Sequence, residues 1–493
     1  MRRSRRKVRG MRFLHPERDS QLELALEDVF IVPSYFDGLS RLDVDLRPDD
    51  GLGGSHPVVS ANMNAVTGKR MAETMARYGG FGVLPQDMTL ETVERIVKHL
   101  HEAHTRFDTA LTVTPDAPLR DVQSIIRKRA HGIVVVVDEA KRPLGVITQT
   151  NLRDHEQYTP ARRLMASKPI VLPDTISNRD AFLAMHENRL KAVPIVSAQS
   201  GSLVGVMERD VAVRLELLAP NLDKNGRLAV AAAIGISSRA ADHAAALAAL
   251  GVTCIVVDTA HGHQRRMLEA IADVRARLGA AVTIVAGNVC TAEGTKALIE
   301  AGADIVKVNV GPGAMCTTRM QTAVGRPSFS SVLHCSAEAH RLGKKVWADG
   351  GVRHPRDVVL YLAAGASRVM IGTMLAGTYE SPGDIKEDRE GRLYKENYGM
   401  ASARAVMDRT SGSDEFERAK KHFFREGIST SRIYLREDME SAGALLIDVL
   451  TGVQSAHTYV GAKSIVEFRK EAVVGVQTAS GYREGTPHGQ VRY

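Results

Sequence analysis

Between Leu228 and Gly372 the chain places six short apolar runs rich in Val, Ile and Ala, each followed by a Gly-rich or polar turn and most by an amphipathic stretch. The clearest units are Leu228–Gly235 before Ser238–Leu250, Cys254–Thr259 before Gln264–Leu278, and Val282–Val289 before Ala292–Gly302. Ile305–Val310 then leads into a Gly-rich loop, Lys345–Asp349 precedes Pro355–Gly365, and Arg368–Gly372 precedes a turn of small residues. Strands so uniformly apolar must be covered on both faces, which leaves a parallel barrel or a doubly wound sheet. The polar positions separate the two. Asp258, Asn288, Asn309, Asp349 and Thr373 stand at or just beyond the C-terminal ends of different strands, where a barrel gathers its site; a doubly wound sheet would cluster them at one switch point. The pattern therefore predicts an α/β fold, a (β/α)8 TIM barrel, with its first two strands near Pro57–Asn62 and Gly82–Leu84.

A long insertion separates the second strand from the third. Within Glu94–Glu216, the runs Ile133–Val137, Gly145–Thr148 and Asn151–Leu152 are echoed by Ala192–Val196, Gly205–Met207 and Asp210–Val211. Two copies, over residues 100–157 and 162–216, imply a pseudo-symmetric module in which each copy reads helix, two strands, helix. The expected division is a basic extension over 1–19, a barrel built from 20–93 and 217–493, and the module over 94–216.

Composition adds boundaries to this picture. With 493 residues, 44% apolar and 25% charged, the chain is of ordinary soluble type and long enough for two to four domains. No stretch approaches the roughly 18 uninterrupted apolar residues of a membrane span, and no apolar run opens the chain, so a cytoplasmic address without a membrane partner is expected. Arg2, Arg3, Arg5, Arg6, Lys7 and Arg9 supply much of the net charge of +8. Nothing aromatic is interleaved with them, so the tail reads as a solvated extension rather than a nucleic-acid arm. Cys254, Cys290, Cys316 and Cys335 are too few and too irregular for a disulfide framework or a CxxC zinc site, and His261 and His263 have no companion ligands.

The most informative segment is Gly311–Arg319, directly after an apolar strand. Gly311 and Gly313 let this loop fold tightly and turn backbone amides toward a ligand. Cys316 on it is either a thiolate nucleophile or a structural residue, and the loop alone does not separate the two.

Taken in order, Val257–His263, Ala286–Val289, Gly311–Arg319 and Ala348–Arg353 resemble the family of IMP dehydrogenase and GMP reductase, over about residues 20–475. The inserted repeat resembles the paired cystathionine-β-synthase-type (CBS, or Bateman) domains that this family often carries. The resemblance implies that the Cys316 thiolate adds to C2 of a purine 5′-monophosphate. It places Asp349 on the ribose hydroxyls, and Gly351, Gly372 and Thr373 on the phosphate through backbone amides. Met63, Asn288, Met400 and Ala401 then face the purine, and Asp258, Thr259, Ala260, Asn309 and Gly311 the nicotinamide cofactor. A monovalent cation, K+, would sit on the carbonyls of Gly311, Gly313 and Cys316. Ala314 stands where the family usually has Ser, which removes one phosphate contact. In the module, Asp210 would contact the ribose of a regulatory ATP or GTP, whereas the first copy has Asn151 at that place; a packing module without ligand is the other reading. Family members form square tetramers, some stacked into octamers, so a homo-oligomer is expected.

Three features bear on which reaction occurs. Asp408–Arg425 lacks the Arg-Tyr pair with which the dehydrogenases activate water; Asn397–Ser402 is similar to the reductase Tyr-Gly-Met-Ser-Ser; Ala61-Asn62-Met63 matches the reductase Ala-Asn-Met. The insertion points the other way, being usual in dehydrogenases. The expectation is an NADPH-dependent reductive deamination of GMP to IMP, with Thr318 and Glu426 managing the proton of the leaving ammonia. The alternatives are an IMP dehydrogenase using Arg432 or Tyr434 as base, and a purine-nucleotide sensor without turnover.

Overall fold

The computed structural model describes residues 11–19, 21–35, 37–38, 40–314, 316–398, 416 and 430–487. Eight parallel strands close a barrel: β1 (Val58–Ser60), β2 (Phe81–Leu84), β3 (Ala231–Ile234), β4 (Cys254–Asp258), β5 (Thr283–Val289), β6 (Ile305–Val308), β7 (Lys345–Asp349) and β8 (Arg368–Ile371). The ring closes where Met370 of β8 pairs with Val59 of β1. The predicted TIM barrel is present, with every strand at its expected place. The strands are buried almost throughout, because each must face a packed interior on one side and a helix on the other. Helix Arg265–Leu278 shows how the cover is made: Met267, Ala270, Ile271 and Val274 recur at helical spacing and turn inward, leaving its arginines outside.

Two boundaries differ from the sequence-based expectation. Helix Leu90–Glu102, placed partly in the module, buries Val93, Ile96, Val97 and Leu100 in the barrel core, so the insertion departs after it rather than at Glu94. Residues 11–19, assigned to the basic extension, belong to the body. Arg12–Phe13 pairs in parallel with Val473–Val476, which on its other edge meets Val29–Val32, and Phe13 joins the barrel core.

The module holds two α/β units. In the first, helix Leu119–Ile126 lies with strands Ile133–Val137 and Pro143–Thr148; in the second, helix Asn178–Glu187 lies with Ala192–Val196 and Leu203–Glu208. Ile133 and Val135 of one sheet pack with Ala192 and Val206 of the other, giving the pair a shared apolar seam. The second unit ends in the expected helix, Arg209–Arg214, but the first closes with a 3-10 turn, Gln149–Leu152. The module leaves and rejoins the barrel at one spot: the His104 carbonyl accepts from Arg77 Nε (3.2 Å), and the Asn221 amide donates to the Ala76 carbonyl (2.7 Å). Both Ala76 and Arg77 end helix α1 (Lys69–Arg77).

The junction is ionic. Glu73 of α1, fully buried, accepts from Arg77 (2.6 Å), Arg129 (2.5 Å), His99 (3.0 Å) and Thr109 (2.5 Å), and Arg77 also reaches Asp108 (2.7 Å). Burial alone would raise the Glu73 carboxyl, but Arg129 and Arg77 hold it well below the usual range. Arg129, Thr109 and Asp108 come from the module, so one barrel carboxylate anchors it.

Candidate active site

The C-terminal ends of the strands surround a cavity of about 560 Å3. Met63, Asp258, Thr259, Ala260, Asn288, Asn309, Gly311, Gly313, Cys316, Thr318, Asp349, Gly351, Gly372 and Thr373 all line it, although they come from both ends of the sequence. Met400, Ala401 and Glu426 lie outside the described residues. Asp210 lies in the module, away from this cavity.

At the centre is a lysine that the sequence reading passed over. Lys307, within the apolar run of β6, is 2% exposed and reaches Asp349 of β7 (2.5 Å) and Asp258 of β4 (3.1 Å). Burial would pull its pKa down, but the two carboxylates hold it above the ordinary lysine range. One buried ammonium thus bridges two carboxylates from different strands of the cavity. Asn62, next to β1, donates to the other Asp258 oxygen (2.6 Å), so that carboxylate is held from two sides.

The asparagines are fixed in the same manner. Asn288 donates its two amide protons to the Asn309 carbonyl (2.7 Å) and to Asp349 Oδ2 (3.0 Å). Asn309 donates to the Asp349 carbonyl (3.2 Å) and to the Tyr361 hydroxyl (3.1 Å), which itself donates to the Gly350 carbonyl (2.9 Å). Asn309 adopts φ +124°, a conformation that Asn tolerates better than bulkier residues, and the strand stops there rather than running on to Val310. With their donors engaged, Asn288 Oδ1 and Asn309 Oδ1 remain buried and without partner, as does Oε1 of Gln86, a second lining residue the sequence reading missed. Three buried amide oxygens around one cavity suit a ligand rich in N–H and O–H groups.

The loop after β6 carries the reactive group. Gly311 (φ +87°) has no room for a side chain because Arg319 packs against it. Gly351 (φ +76°) brings the Asp349 turn against Pro312, where an added methyl would stand 3.2 Å from the Pro312 Cβ. Cys316 is exposed and lies 3.3 Å from the Thr318 hydroxyl. The other cysteines are poor nucleophile candidates: burial raises the thiols of Cys254 and Cys290 and pushes Cys335 up to about 12. The Gly313 carbonyl already accepts the Cys316 amide (2.9 Å). Among the described residues no group of three or more His, Cys, Asp or Glu could hold a metal, His261 and His263 included.

The model of the IMP dehydrogenase / GMP reductase domain matches residues 23–488. The chain belongs to that family. GMP reductase of Mycobacterium tuberculosis (strain H37Rv) is 47% identical over 479 residues, covering 97% of this chain and 99% of that protein. Inosine-5′-monophosphate dehydrogenase of Aquifex aeolicus is 35% identical over 472 residues, covering 94% and 95%. Among solved structures, a GMP reductase variant from Trypanosoma brucei in complex with guanosine 5′-monophosphate matches with a TM-score of 0.67 and 31% identity, over 95% of this chain and 98% of that one. The family is one of oxidoreductases acting in purine metabolism. Arg432 and Tyr434, named as the dehydrogenase alternative's base, sit on strand Thr430–Tyr434 outside the cavity lining. Arg432 lies 4.8 Å over the Tyr394 ring and Tyr434 pairs with Tyr394 across the ladder.

Proposed function

We propose that the chain is an NADPH-dependent GMP reductase that converts GMP to IMP with release of ammonia. The observation that carries this is the exposed Cys316, with the Thr318 hydroxyl 3.3 Å away, on a loop over the cavity built around Lys307. The relatives named GMP reductase that match nearly end to end support it.

The Cys316 thiolate bonds to C2 of the purine as the amine departs, and the Thr318 hydroxyl is within reach to pass that amine a proton. Glu426 is the second member of this relay. Asp349 takes its two side-chain bonds on Oδ2, leaving Oδ1 for the ribose hydroxyls. Gly351, Gly372 and Thr373 hold the phosphate, while Met63, Asn288, Met400 and Ala401 face the base. Asp258, Thr259, Ala260, Asn309 and Gly311 would hold NADPH, and the orphaned Asn309 Oδ1 fits an amide N–H of its carboxamide. When bound, NADPH would supply the hydride that displaces the Cys316 sulfur from C2, which breaks the C2–S bond, frees IMP and restores the thiolate. The Gly311, Gly313 and Cys316 carbonyls fit a cation less well, since Gly313 is already engaged, and no step is derived from one. ATP or GTP at Asp210 would regulate the enzyme, which works as a homo-oligomer.

The test is absorbance in the nicotinamide band with GMP plus NADPH, beside IMP plus NAD, with products separated by chromatography. NADPH loss with IMP and ammonia is expected. NADH with xanthosine monophosphate would make it a dehydrogenase, and silence in both a sensor.

A further inference from the structure

A second cavity, of about 810 Å3, lies where the first unit of the module faces the barrel and the segment after β8. Its lining is strongly one-signed. Arg127 and Lys128, just after helix Leu119–Ile126, and Arg153, just after the turn Gln149–Leu152, face Arg70 of α1 and Lys395 of strand Leu393–Tyr398. Asp384 is the one carboxylate among these lining residues.

None of these five cations is ion-paired among the described residues. Arg70 donates to the Ser381 carbonyl (3.0 Å). Lys395 donates to the carbonyls of Ser381 (2.7 Å) and Tyr379 (3.3 Å) and to the Ser381 hydroxyl (3.0 Å), all neutral acceptors. Arg70 Nε is buried with no partner. Lys307 and Arg368, buried to a similar degree as Lys395, each have a carboxylate at 2.6 Å or less. Burial and the neighbouring Arg70 draw the Lys395 amine down to about 7, against the opposing pull of Glu380 and Asp384. Cations gathered in a concave, partly buried site focus a positive field, and the volume suits a small organic or inorganic anion.

We propose that this cavity binds a polyphosphate group, carried by a nucleoside triphosphate or free as inorganic tripolyphosphate, and so ties the module to the segment after β8. The site is separate from Asp210, whose side chain is 89% exposed and not part of this lining. It stands independently of the proposed reaction, because binding is the readout.

The experiment is calorimetry on the full chain with inorganic tripolyphosphate, using wild type, Asp210→Ala and the double variant Arg127→Ala/Arg153→Ala. Both arginines of the double variant are exposed, so folding is not at stake, and a thermal melt checks this. Tripolyphosphate should bind wild type and Asp210→Ala equally, about tenfold more weakly in the double variant, and more weakly as salt rises. ATP and GTP, titrated in the Asp210→Ala background, identify the source. Tenfold tighter binding than tripolyphosphate, lost in the double variant, means a nucleotide, and equal binding means that phosphate alone is read. No binding of any of the three to wild type, or binding that the double variant leaves unchanged, would overturn the proposal.

Discussion

At the barrel mouth, Asn288 and Asn309 use their amide protons on backbone and side-chain acceptors and leave their oxygens buried and unmet. In the module's first unit Asn151 does the reverse: its oxygen accepts from the Thr148 amide (2.9 Å) and hydroxyl (2.7 Å), closing the turn it stands on. Asp210, at the matching place in the second unit, has an exposed side chain with Arg209 at 3.8 Å. The same kind of residue at a strand end thus leaves its acceptor open in one region and closes a turn in the other. What decides is whether a buried acceptor has been satisfied locally.

The comparison can be broken most sharply at the mouth. Cys316→Ala should lower turnover of GMP by about 10^4-fold or more while leaving GMP binding measurable by calorimetry, since only the bond-forming group is gone. Turnover within tenfold of wild type would move the chemistry to another residue. At the junction, Glu73→Gln leaves Arg77 and Arg129 buried around a neutral amide. A loss of about 3–5 kcal/mol in urea unfolding is expected, and a change below about 0.5 kcal/mol would mean that the module merely rests on the barrel. Thr318→Val should cost roughly 100-fold in kcat with little change in KM for GMP. An effect confined to KM would reduce Thr318 to a binding contact.

Acid should act on both regions alike. His56 of the barrel and His131 of the module accept backbone amides on Nδ1, and burial holds their pKa values at about 3 and about 4. In the unfolded chain both titrate near 6.5. The stability this lends is whole above pH 6.5 and is lost as pH falls toward those values. The urea midpoint at pH 5 should therefore lie below that at pH 7, and an unchanged midpoint would contradict the neutral assignment. The smallest effect is expected from Asp210→Ala, which should shift the curve of activity against ATP or GTP; identical curves would remove the regulatory role from Asp210.

Much of the barrel was legible because each strand is mostly apolar and the turns are polar or Gly-rich, a contrast that survives without knowledge of distant partners. Site residues at strand ends were legible for the same reason. Lys307 was not singled out, although a lone lysine inside Ile305–Val308 is the visible signal: such a charge survives in a core strand only if carboxylates meet it. Gln86 gave no pattern to read. The boundary at Glu94 was misplaced because helix Leu90–Glu102 has the same amphipathic spacing whether it packs on barrel or module. Arg12–Phe13 is a two-residue strand whose partner lies some 460 positions away, and no local signal announces it.

The junction at the end of α1 has an architectural meaning as well. Because the outgoing His104 and the returning Asn221 are both hydrogen-bonded to adjacent residues, Arg77 and Ala76, the whole module hangs from a gap that a short linker would close. All eight strands, their ladder order and the cavity lie outside that gap, so the barrel's connectivity is complete with or without the pendant. Such a unit can be lifted from the scaffold on paper without redrawing a single strand connection, and the charged seam around Glu73 is what it would leave uncovered.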